Sequence, residues 1–443
     1  MPAPADASPD VPPAAGRHWP TRHGPPAGRS RWPAAGTRPV LSVALRPVWR
    51  GPTSVQFGVD PERAVVVDGV DEQTVRTLLG LDGARTRTEV LADAAAEGLD
   101  PTVLAELIDE LRAGGALVDA QPPPLAIAAE QPPSPPGIPS PPGIASPPGI
   151  PSPPGIPSPP GIPSPPGLPG RSGSAQPRGA ARLAADRAAL SLLTGGDDAA
   201  DAVLARRHAA AVVVHVADRV GVTLAALLAA AGVGHVHVID RGHVRPVDVS
   251  PGGLAAADAH RSRDVAAADA VRRAAPDAVT GPLAPGQLPD LVVLASSRPV
   301  DESLRAVLQN AGLPHLALGV RETAAIVGPL VIPGVTTCLR CTDLHRADCD
   351  PAWPLLAAQL IDERSRRIEP CDVVLATVAA AVGALQCLAQ LDGRPPASLG
   401  GTLELALPDW RMRRRTWAPH RRCGCGAWPG PAGPADTSEY PGP

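Results

Sequence analysis

The chain has 443 residues, enough for two or three domains, and a formal net charge of −4. All forty basic residues are arginines, and the slightly acidic balance gives no overall signature of a nucleic-acid-binding protein. Only 2% of the residues are aromatic, so aliphatic side chains must build the cores.

The cysteine count and the hydropathy pattern favour a cytoplasmic protein. Seven cysteines, three of them outside close pairs, suit a reducing compartment better than a disulfide framework. The first twenty residues lack the apolar core of a signal peptide. The span Val373–Leu391 is apolar but rich in alanine and contains Thr377, Gln386 and Gln390, which predicts a buried helix rather than a membrane span.

Residues 1–37 have no hydrophobic periodicity and are predicted to be disordered. Residues 38–120 then show three short apolar strands, the first over VLSVALRPVW, divided by turns at 50–52 and 60–61. Three helices follow, starting at Asp71, Thr88 and Asp100, and a closing strand includes Leu117. This content predicts a small winged-helix-like domain.

Two functions compete for this small domain. Winged helices commonly bind DNA, but the third helix carries Glu106, Asp109 and Glu110 against Arg112, and that face would repel phosphate. The alternative is peptide capture, in which a free strand edge accepts an extended segment beside a helix. A domain that only packs on its neighbour is the third interpretation.

Residues 121–179 predict a linker. Between Ser134 and Pro169 the unit SPPGIP recurs with small changes, and glycine returns every sixth residue instead of every third, which excludes a collagen triple helix. Proline at this density favours an extended, semi-rigid spacer.

Residues 180–426 alternate apolar strands with helices. Buried strands are predicted at AAAVVVHVA, GHVHVID, DLVVLAS and HLALGV, with helices between them. This alternation indicates a doubly wound α/β sheet with ligand sites at the carboxyl ends of its strands. Residues 427–443 are predicted to form a disordered tail.

Two close thiol pairs predict a zinc site. Cys338 and Cys341 follow a proline-glycine turn, and Cys423 and Cys425 lie far downstream. Two tight turns with two thiols each are what a tetrahedral zinc ion requires. A redox pair is the alternative for Cys338 and Cys341, although such pairs usually start a helix after a strand. His420 is near enough to replace one thiol.

The first strand-to-helix turn, residues 216–221, is a poor phosphate cradle. It keeps only Gly221, and Asp218 brings a negative charge to the place of a phosphate. Asp240, at the end of the second strand, could bind a ribose, but without a glycine-rich turn a capping role is the better interpretation.

These features together resemble the ThiF and ubiquitin-activating superfamily. The segments RPVWRGPTSVQFGVD, AAGVGHVHVID, GPLVIPG...CLRCTDLHRADCDPAWP and HRRCGCG are similar to a narrower group, the ThiF-like leader-peptide-binding partners of YcaO-type cyclodehydratases. The resemblance covers residues 38–120 and 180–426. It implies a leader-recognition element in front, a degenerate ThiF-like mixed sheet with a zinc knuckle behind it, and a possible homodimer.

The chain departs from active ThiF enzymes at four places. The glycine-rich turn is broken, and Asp240-Arg241-Gly242 stands where Asp-x-Asp is expected. Arg263 falls near the lysine position, and Ser296 and Ser297 follow the strand where an acidic residue would help to place magnesium. ATP chemistry depends on these charges, so the departures argue against ATP as a cofactor.

The sequence therefore predicts a non-catalytic adaptor that binds the leader of a precursor peptide and presents it to a YcaO-type cyclodehydratase. An active adenylyltransferase and a DNA-binding regulator are the alternatives, and neither a nucleic-acid nor a membrane partner is expected. The leader would add to a strand edge at Ala64, Val65, Val66 and Val67, facing Leu104, Leu107 and Leu111 of the third helix. Gly221 and Asp240 would remain as a vestigial nucleotide site.

Overall fold

The computed structural model describes residues 36–61, 63–120, 181–361 and 369–427. The predictions for most of residues 1–37, for the linker at 121–179 and for all but the first residue of the tail at 427–443 lie outside these residues. The described part forms a small N-terminal unit and a larger body.

The N-terminal unit contains three helices and two small sheets. In chain order its elements are β1 (Pro39–Leu41), β2 (Pro47–Gly51), β3 (Ser54–Phe57), β4 (Val65–Asp68), α1 (Glu72–Leu79), α2 (Arg87–Ala96), α3 (Pro101–Ala113) and β5 (Leu117–Asp119). Strands β2, β3 and β4 form an antiparallel sheet in that order, and β1 pairs with β5.

Two details differ from the sequence prediction. The stretch predicted as one first strand is divided between β1 and β2, which belong to different sheets. The second helix begins two residues earlier than predicted, because Thr86 and Glu89 form a reciprocal capping box. The other two helix starts are as predicted, since Asp71 and Asp100 cap α1 and α3 through their side chains.

The body contains a seven-stranded mixed sheet. Its elements are α4 (Ala184–Thr194), α5 (Asp197–Ala209), β6 (Ala211–His215), α6 (Gly221–Ala230), β7 (His235–Ile239), α7 (Arg263–Ala274), β8 (Leu291–Ala295), α8 (Glu302–Asn310), β9 (His315–Arg321), β10 (Ala324–Val331), α9 (Leu339–Cys349), α10 (Trp353–Ile361), α11 (Val373–Leu391), β11 (Gly401–Ala406) and β12 (Met412–Thr416). The strand order is β12-β11-β10-β9-β8-β6-β7.

The sheet is parallel at one end and antiparallel at the other. Strands β7, β6, β8 and β9 are parallel, and β10, β11 and β12 extend them as an antiparallel meander. Side chains alternate between two cores, as in any strand covered on both faces. Val212 and Val293 pack with α6, α7 and α11, whereas Val292 and Leu294 pack with α8 and α9. The predicted α/β class and mixed sheet are confirmed.

Helix α11 is long and apolar enough to cross a membrane, and it is the one such helix among the described residues. In the structure it packs in the main core, where a Cβ at Gly383 would lie 2.5 Å from a Leu318 methyl group. Asp372 caps its start, and the buried Gln386 accepts a hydrogen bond from Ser398 N at 2.9 Å. These contacts are those of a core helix.

Candidate functional site

The four predicted cysteines come together between α9 and the chain after β12, and their sulfur atoms lie within 4.8 Å of one another. Cys338 Sγ lies 3.7 Å from Cys341 Sγ and 3.6 Å from Cys423 Sγ, and the sulfurs of Cys341 and Cys425 are 3.7 Å apart. A tetrahedral zinc ion with Zn–S bonds of about 2.3 Å separates its sulfur ligands by about 3.8 Å. The cluster is therefore compatible with a structural zinc ion, whereas a disulfide would need sulfurs about 2.05 Å apart.

His420 supports this cluster through its backbone and does not supply a ligand. Its amide donates to Cys341 Sγ at 3.3 Å, while its ring Nε2 lies 2.8 Å from Asp348 Oδ2 and its Nδ1 accepts from Arg422 N at 3.1 Å. Both ring nitrogens are thus engaged away from the thiols. The hydrogen bond from His420 lowers the pKa of Asp348.

The argument that Cys338 and Cys341 do not begin a helix, which was used against a redox function, is wrong. Cys338 is the N-cap of α9, so the Cys-x-x-Cys pair does begin a helix. A hydrogen bond from Cys338 lowers the pKa of the Cys341 thiol, and a thiolate is the form that zinc binds. The second pair still distinguishes the cluster from a two-cysteine redox site. Among the remaining cysteines, Cys349 is exposed and Cys387 is buried in α11.

The predicted nucleotide turn connects β6 to α6, and Asp218 occupies its anion-binding position. Asp218 Oδ1 accepts from Val220 N at 2.9 Å and from Gly221 N at 2.8 Å. These are the helix N-terminal amides that would otherwise contact a phosphate. Burial raises the pKa of Asp218 to about 6. Gly221 is required by packing, since a Cβ there would lie 2.1 Å from Val216 O.

Asp240 serves the same turn. Its Oδ2 accepts from Ala217 N at 2.7 Å and lies 3.0 Å from Arg263 Nη1. Arg263 also pairs with Asp248. Gly221 and Asp240 are therefore brought to one edge of the sheet, but the carboxylate of Asp240 is already held by protein groups.

An acidic side chain reaches the end of β8 from a part of the chain that the sequence did not suggest. Glu369 Oε1 lies 2.6 Å from Arg298 Nε, and its Oε2 accepts from Ser297 Oγ at 3.2 Å. The serines at 296 and 297 thus have a carboxylate beside them. That carboxylate is paired with Arg298.

Helix α10 closes one edge of the N-terminal sheet. Gln359 Oε1 accepts from Trp49 N at 2.8 Å, and Gln359 Nε2 donates to Trp49 O at 2.7 Å, as a neighbouring strand would. Val48 packs beside this contact against Leu356 and Leu360. Strand β4 lies at the other edge and pairs only with β3 among the described residues.

The backbone of β4 presents one residue squarely to that open edge. The hydrogen bond from Gly58 N to Arg46 O sets the alternation of the sheet. In an antiparallel sheet the backbone groups of successive residues point alternately to the two neighbouring strands. With the observed pairing of β3 and β4, the amides and carbonyls of Val65 and Val67 therefore point toward β3, and those of Val66 point away from it. Ala64 immediately precedes the strand.

The other predicted peptide-binding residues lie inside the domain. Leu104, Leu107 and Leu111 are all buried in the core of the N-terminal unit. The end of α3 nevertheless lies against β4, because a Cβ at Gly114 would come within 2.3 Å of a Val65 methyl group. Strand β4 and α3 are therefore neighbours.

The sequence reasoning missed a pocket of about 150 Å³ between the N-terminal unit and the body. Val59 lines it from one side, and Arg321 and Arg346 line it from the other. These residues come from segments far apart in the chain and belong to no motif. An arginine and a glutamate at the β9–β10 turn were the sole signal, and such a pair usually lies in solvent.

Four parallel strands, with a helix that begins directly after the turn at the carboxyl end of β6, define a doubly wound α/β fold. The chain belongs to the ThiF family, which it matches over residues 198–427, just over half of its length. No curated protein sequence matches it significantly.

Several solved structures are similar to the chain at low sequence identity, with TM-scores below 0.5. One is Escherichia coli MccB with MccA, at 13% identity and a TM-score of 0.46, covering 88% of this chain and 99% of that one. The microcin C7 biosynthetic enzyme MccB with N-formylated MccA gives the same values. PaaA is 17% identical with a TM-score of 0.45, covering 55% of this chain and 86% of that one. These similarities concern the fold alone.

Proposed function

We propose that this protein is a non-catalytic adaptor of peptide modification. Its N-terminal unit binds the leader of a ribosomally made precursor, and its ThiF body presents that precursor to a YcaO-type cyclodehydratase that forms azoline rings. A structural zinc ion on Cys338, Cys341, Cys423 and Cys425 holds the body together. The adaptor acts in the cytoplasm, as a monomer or a homodimer.

The open edge of β4 is the observation that carries this proposal. A sheet edge with unpaired backbone groups is a template for an added strand, and proteins usually protect such edges. Gln359 protects β2 in this way, whereas Val66 points its amide and carbonyl outward. A leader strand on β4 gains main-chain hydrogen bonds, and the adjoining side of α3 supplies side-chain selectivity.

The enzyme alternative is disfavoured by the turn before α6. A nucleotide phosphate there would have to displace the Asp218 carboxylate from two amides and then lie beside its charge. Arg263 is committed to Asp240 and Asp248, so its charge is already compensated. The chain offers no lysine to replace it.

The DNA-binding alternative is disfavoured by the exposed face of α3. Glu106 and Glu110 are exposed there, and Asp109 pairs with Arg87 at 2.9 Å. A recognition helix needs cations or neutral donors facing the phosphates and bases.

Fluorescence anisotropy with a labelled leader peptide tests the proposal. The leader is that of a short Cys/Ser/Thr-rich precursor peptide, which is to be sought among the genes beside this one. We expect residues 38–120 to bind the leader about as tightly as the full chain, and residues 180–426 to leave its anisotropy unchanged. Binding that needs only residues 180–426 would refute the assignment of the N-terminal unit.

Two further measurements address the adaptor and enzyme alternatives. ATP–pyrophosphate exchange by the purified chain, with and without precursor, should remain at background. Azoline formation by the proposed YcaO-type partner enzyme should depend on the full chain, and the separated 38–120 and 180–426 fragments should not replace it. Robust exchange by the chain alone would favour the adenylyltransferase instead.

A further inference from the structure

The pocket between the N-terminal unit and the body is lined by an arginine that forms no ion pair with the described residues. Arg321 ends β9 and lines this pocket. It makes no hydrogen bond or ion pair with the described residues, and its Nε is shielded from solvent without an acceptor. Burial, followed by the neighbouring Arg346, lowers the pKa of Arg321, and the charges of Asp60, Glu404 and Glu322 oppose this shift only in part. An unpaired charge in such a place is costly and calls for an explanation.

The other cations around this pocket are already engaged. Arg298 pairs with Glu369 at 2.6 Å, and Arg346 pairs with Asp343 at 3.0 Å while lying 5.1 Å from the ring of Trp353. Arg46 donates to two backbone carbonyls of α10. Among the described lining residues, Arg321 is thus the arginine that forms no hydrogen bond or ion pair.

Glu322, the next residue, does not neutralise Arg321. Its Oε1 accepts from Val59 N at 2.6 Å, which ties the β9–β10 turn to the N-terminal unit, and no ion pair joins it to Arg321. Its Oε2 is buried without a partner. The described residues of the pocket therefore offer one guanidinium without a hydrogen bond or ion pair and one shielded carboxylate oxygen.

The chemistry of the lining selects among anions. The carboxylates of Glu322, Asp343 and Glu369 border the pocket, so a dianionic phosphate would meet more repulsion than a single free arginine offsets. A carboxylate carries one charge and matches the planar fork of a guanidinium with two parallel hydrogen bonds. Val59 and Leu360 provide apolar walls for a short aliphatic stem.

We propose that this pocket binds the carboxylate of a peptide, with Arg321 forming a bidentate pair with it. The peptide nature of the ligand rests on the proposed function, whereas its carboxylate chemistry rests on Arg321. The N-terminal unit lines the pocket through Val59 and Arg46. The carboxylate then belongs to a segment of the precursor beyond the leader, whose own binding at β4 needs only the N-terminal unit.

The test uses the full chain at low ionic strength and four small probes in thermal-shift and calorimetric titrations. N-acetylglutamate methylamide supplies a side-chain carboxylate, and N-acetylalanine supplies a C-terminal one. N-acetylglutamine methylamide is the neutral match, and inorganic phosphate is the competing anion. We expect saturable binding of at least one carboxylate probe, and the stronger of the two identifies the source. The neutral amide should bind at least ten-fold more weakly, and phosphate more weakly than the preferred carboxylate.

Substitution of Arg321 separates a binding role from a structural one. Arg321→Met should abolish the carboxylate-dependent shift and raise the melting temperature of the free protein, because it removes an uncompensated charge. Arg321→Lys should weaken binding at least ten-fold because it loses the fork. Arg272→Gln, at an exposed site on α7, makes the same change in net charge and should bind normally.

Three results would overturn the inference: unchanged carboxylate binding by Arg321→Met, equal binding of the neutral amide, or tighter binding of phosphate. Failure of the leader to bind residues 38–120 would instead refute the proposed function. In that case a positive result with the carboxylate probes would stand, and the ligand would be a carboxylate from another source.

Discussion

Arg50 and Asp350 form a two-pronged ion pair between the N-terminal unit and the body. Arg50 Nη2 lies 2.7 Å from Asp350 Oδ1, and its Nη1 lies 2.9 Å from Oδ2. The side chain of Asp350 is 5% exposed and that of Arg50 is 19% exposed. Because both charges are largely withdrawn from water, either one without the other would be poorly compensated.

We therefore expect Asp350→Ala to reduce the free energy of unfolding by about 3 kcal/mol, the lower end of the range for a broken buried pair. Urea denaturation measures the change, and a cycle with Arg50→Met isolates the coupling between the two residues. Glu72→Ala is the control, since it breaks an exposed pair with Arg76 and should cost less than about 1 kcal/mol. Equal effects of Asp350→Ala and Glu72→Ala would contradict the prediction.

Elemental analysis should find one zinc ion per chain in freshly purified, reduced protein. Cys423→Ser should lose the metal and lower the melting temperature, because the four thiols join α9 to the chain after β12. Cys349→Ser, at an exposed position outside the cluster, should retain both metal and stability. Full folding and stability without any metal would disprove the zinc assignment.

Val66→Pro should weaken leader binding at least ten-fold while leaving the zinc content and the fold intact. Proline removes the amide that Val66 directs to the open edge, and edge strands tolerate proline at such a position. Val66→Thr keeps the amide and the β-branched shape, so it should bind the leader almost normally. Anisotropy titrations of both variants give the comparison, and unaltered binding by Val66→Pro would exclude addition at this edge.

Asp218 should make stability depend on pH in an identifiable window. Its pKa of about 6 in the folded protein is above the unfolded value of about 3.9, so the folded state holds the proton more tightly. The contribution of Asp218 to stability is therefore greatest below about pH 3.9 and falls as the pH rises from about 3.9 to about 6. Asp218→Asn lacks this loss, and its advantage in melting temperature should grow from pH 4 to pH 6 and then level off.

Asp71→Asn should change the pH dependence of stability in the direction opposite to Asp218→Asn. The backbone amide of Thr74 lowers the pKa of Asp71 at the start of α1, so its contribution is present above about pH 4 and is lost as the pH falls. If the melting temperatures of Asp218→Asn and the wild type change with pH in parallel from pH 4 to pH 7, the pKa of Asp218 is not raised and the prediction for Asp218 is wrong.

Local sequence signals predicted the features that short segments determine. The spacing of Cys338 and Cys341 predicted a thiol pair, and the apolar runs of β6 and β8 predicted buried parallel strands. Asp71 and Asp100 marked helix starts, because a side-chain cap acts within three residues. The mixed α/β class followed from these local patterns.

Features formed by distant segments could not be read in this way. Gln359 contacts Trp49 across 310 residues, and Glu369 contacts Ser297 across 72. That Arg321 forms no ion pair follows from the fold, which pairs the carboxylates nearby with other arginines. The sequence indicated that Asp218 would repel a phosphate, but it predicted neither the hydrogen bonds of Asp218 to the helix amides nor the φ of 80° at Val216.

The side chain of Gln359 also limits the stoichiometry of any strand addition. Trp49 has both its outward backbone groups bonded to this amide, so the N-terminal sheet cannot grow at β2. A sheet with one open edge can add a strand on one side only, whereas a sheet with two open edges can pair with other copies of the same sheet on both sides and polymerise. The N-terminal sheet therefore offers one edge for strand addition among the described residues, and edge-to-edge growth of these sheets into filaments is blocked at β2.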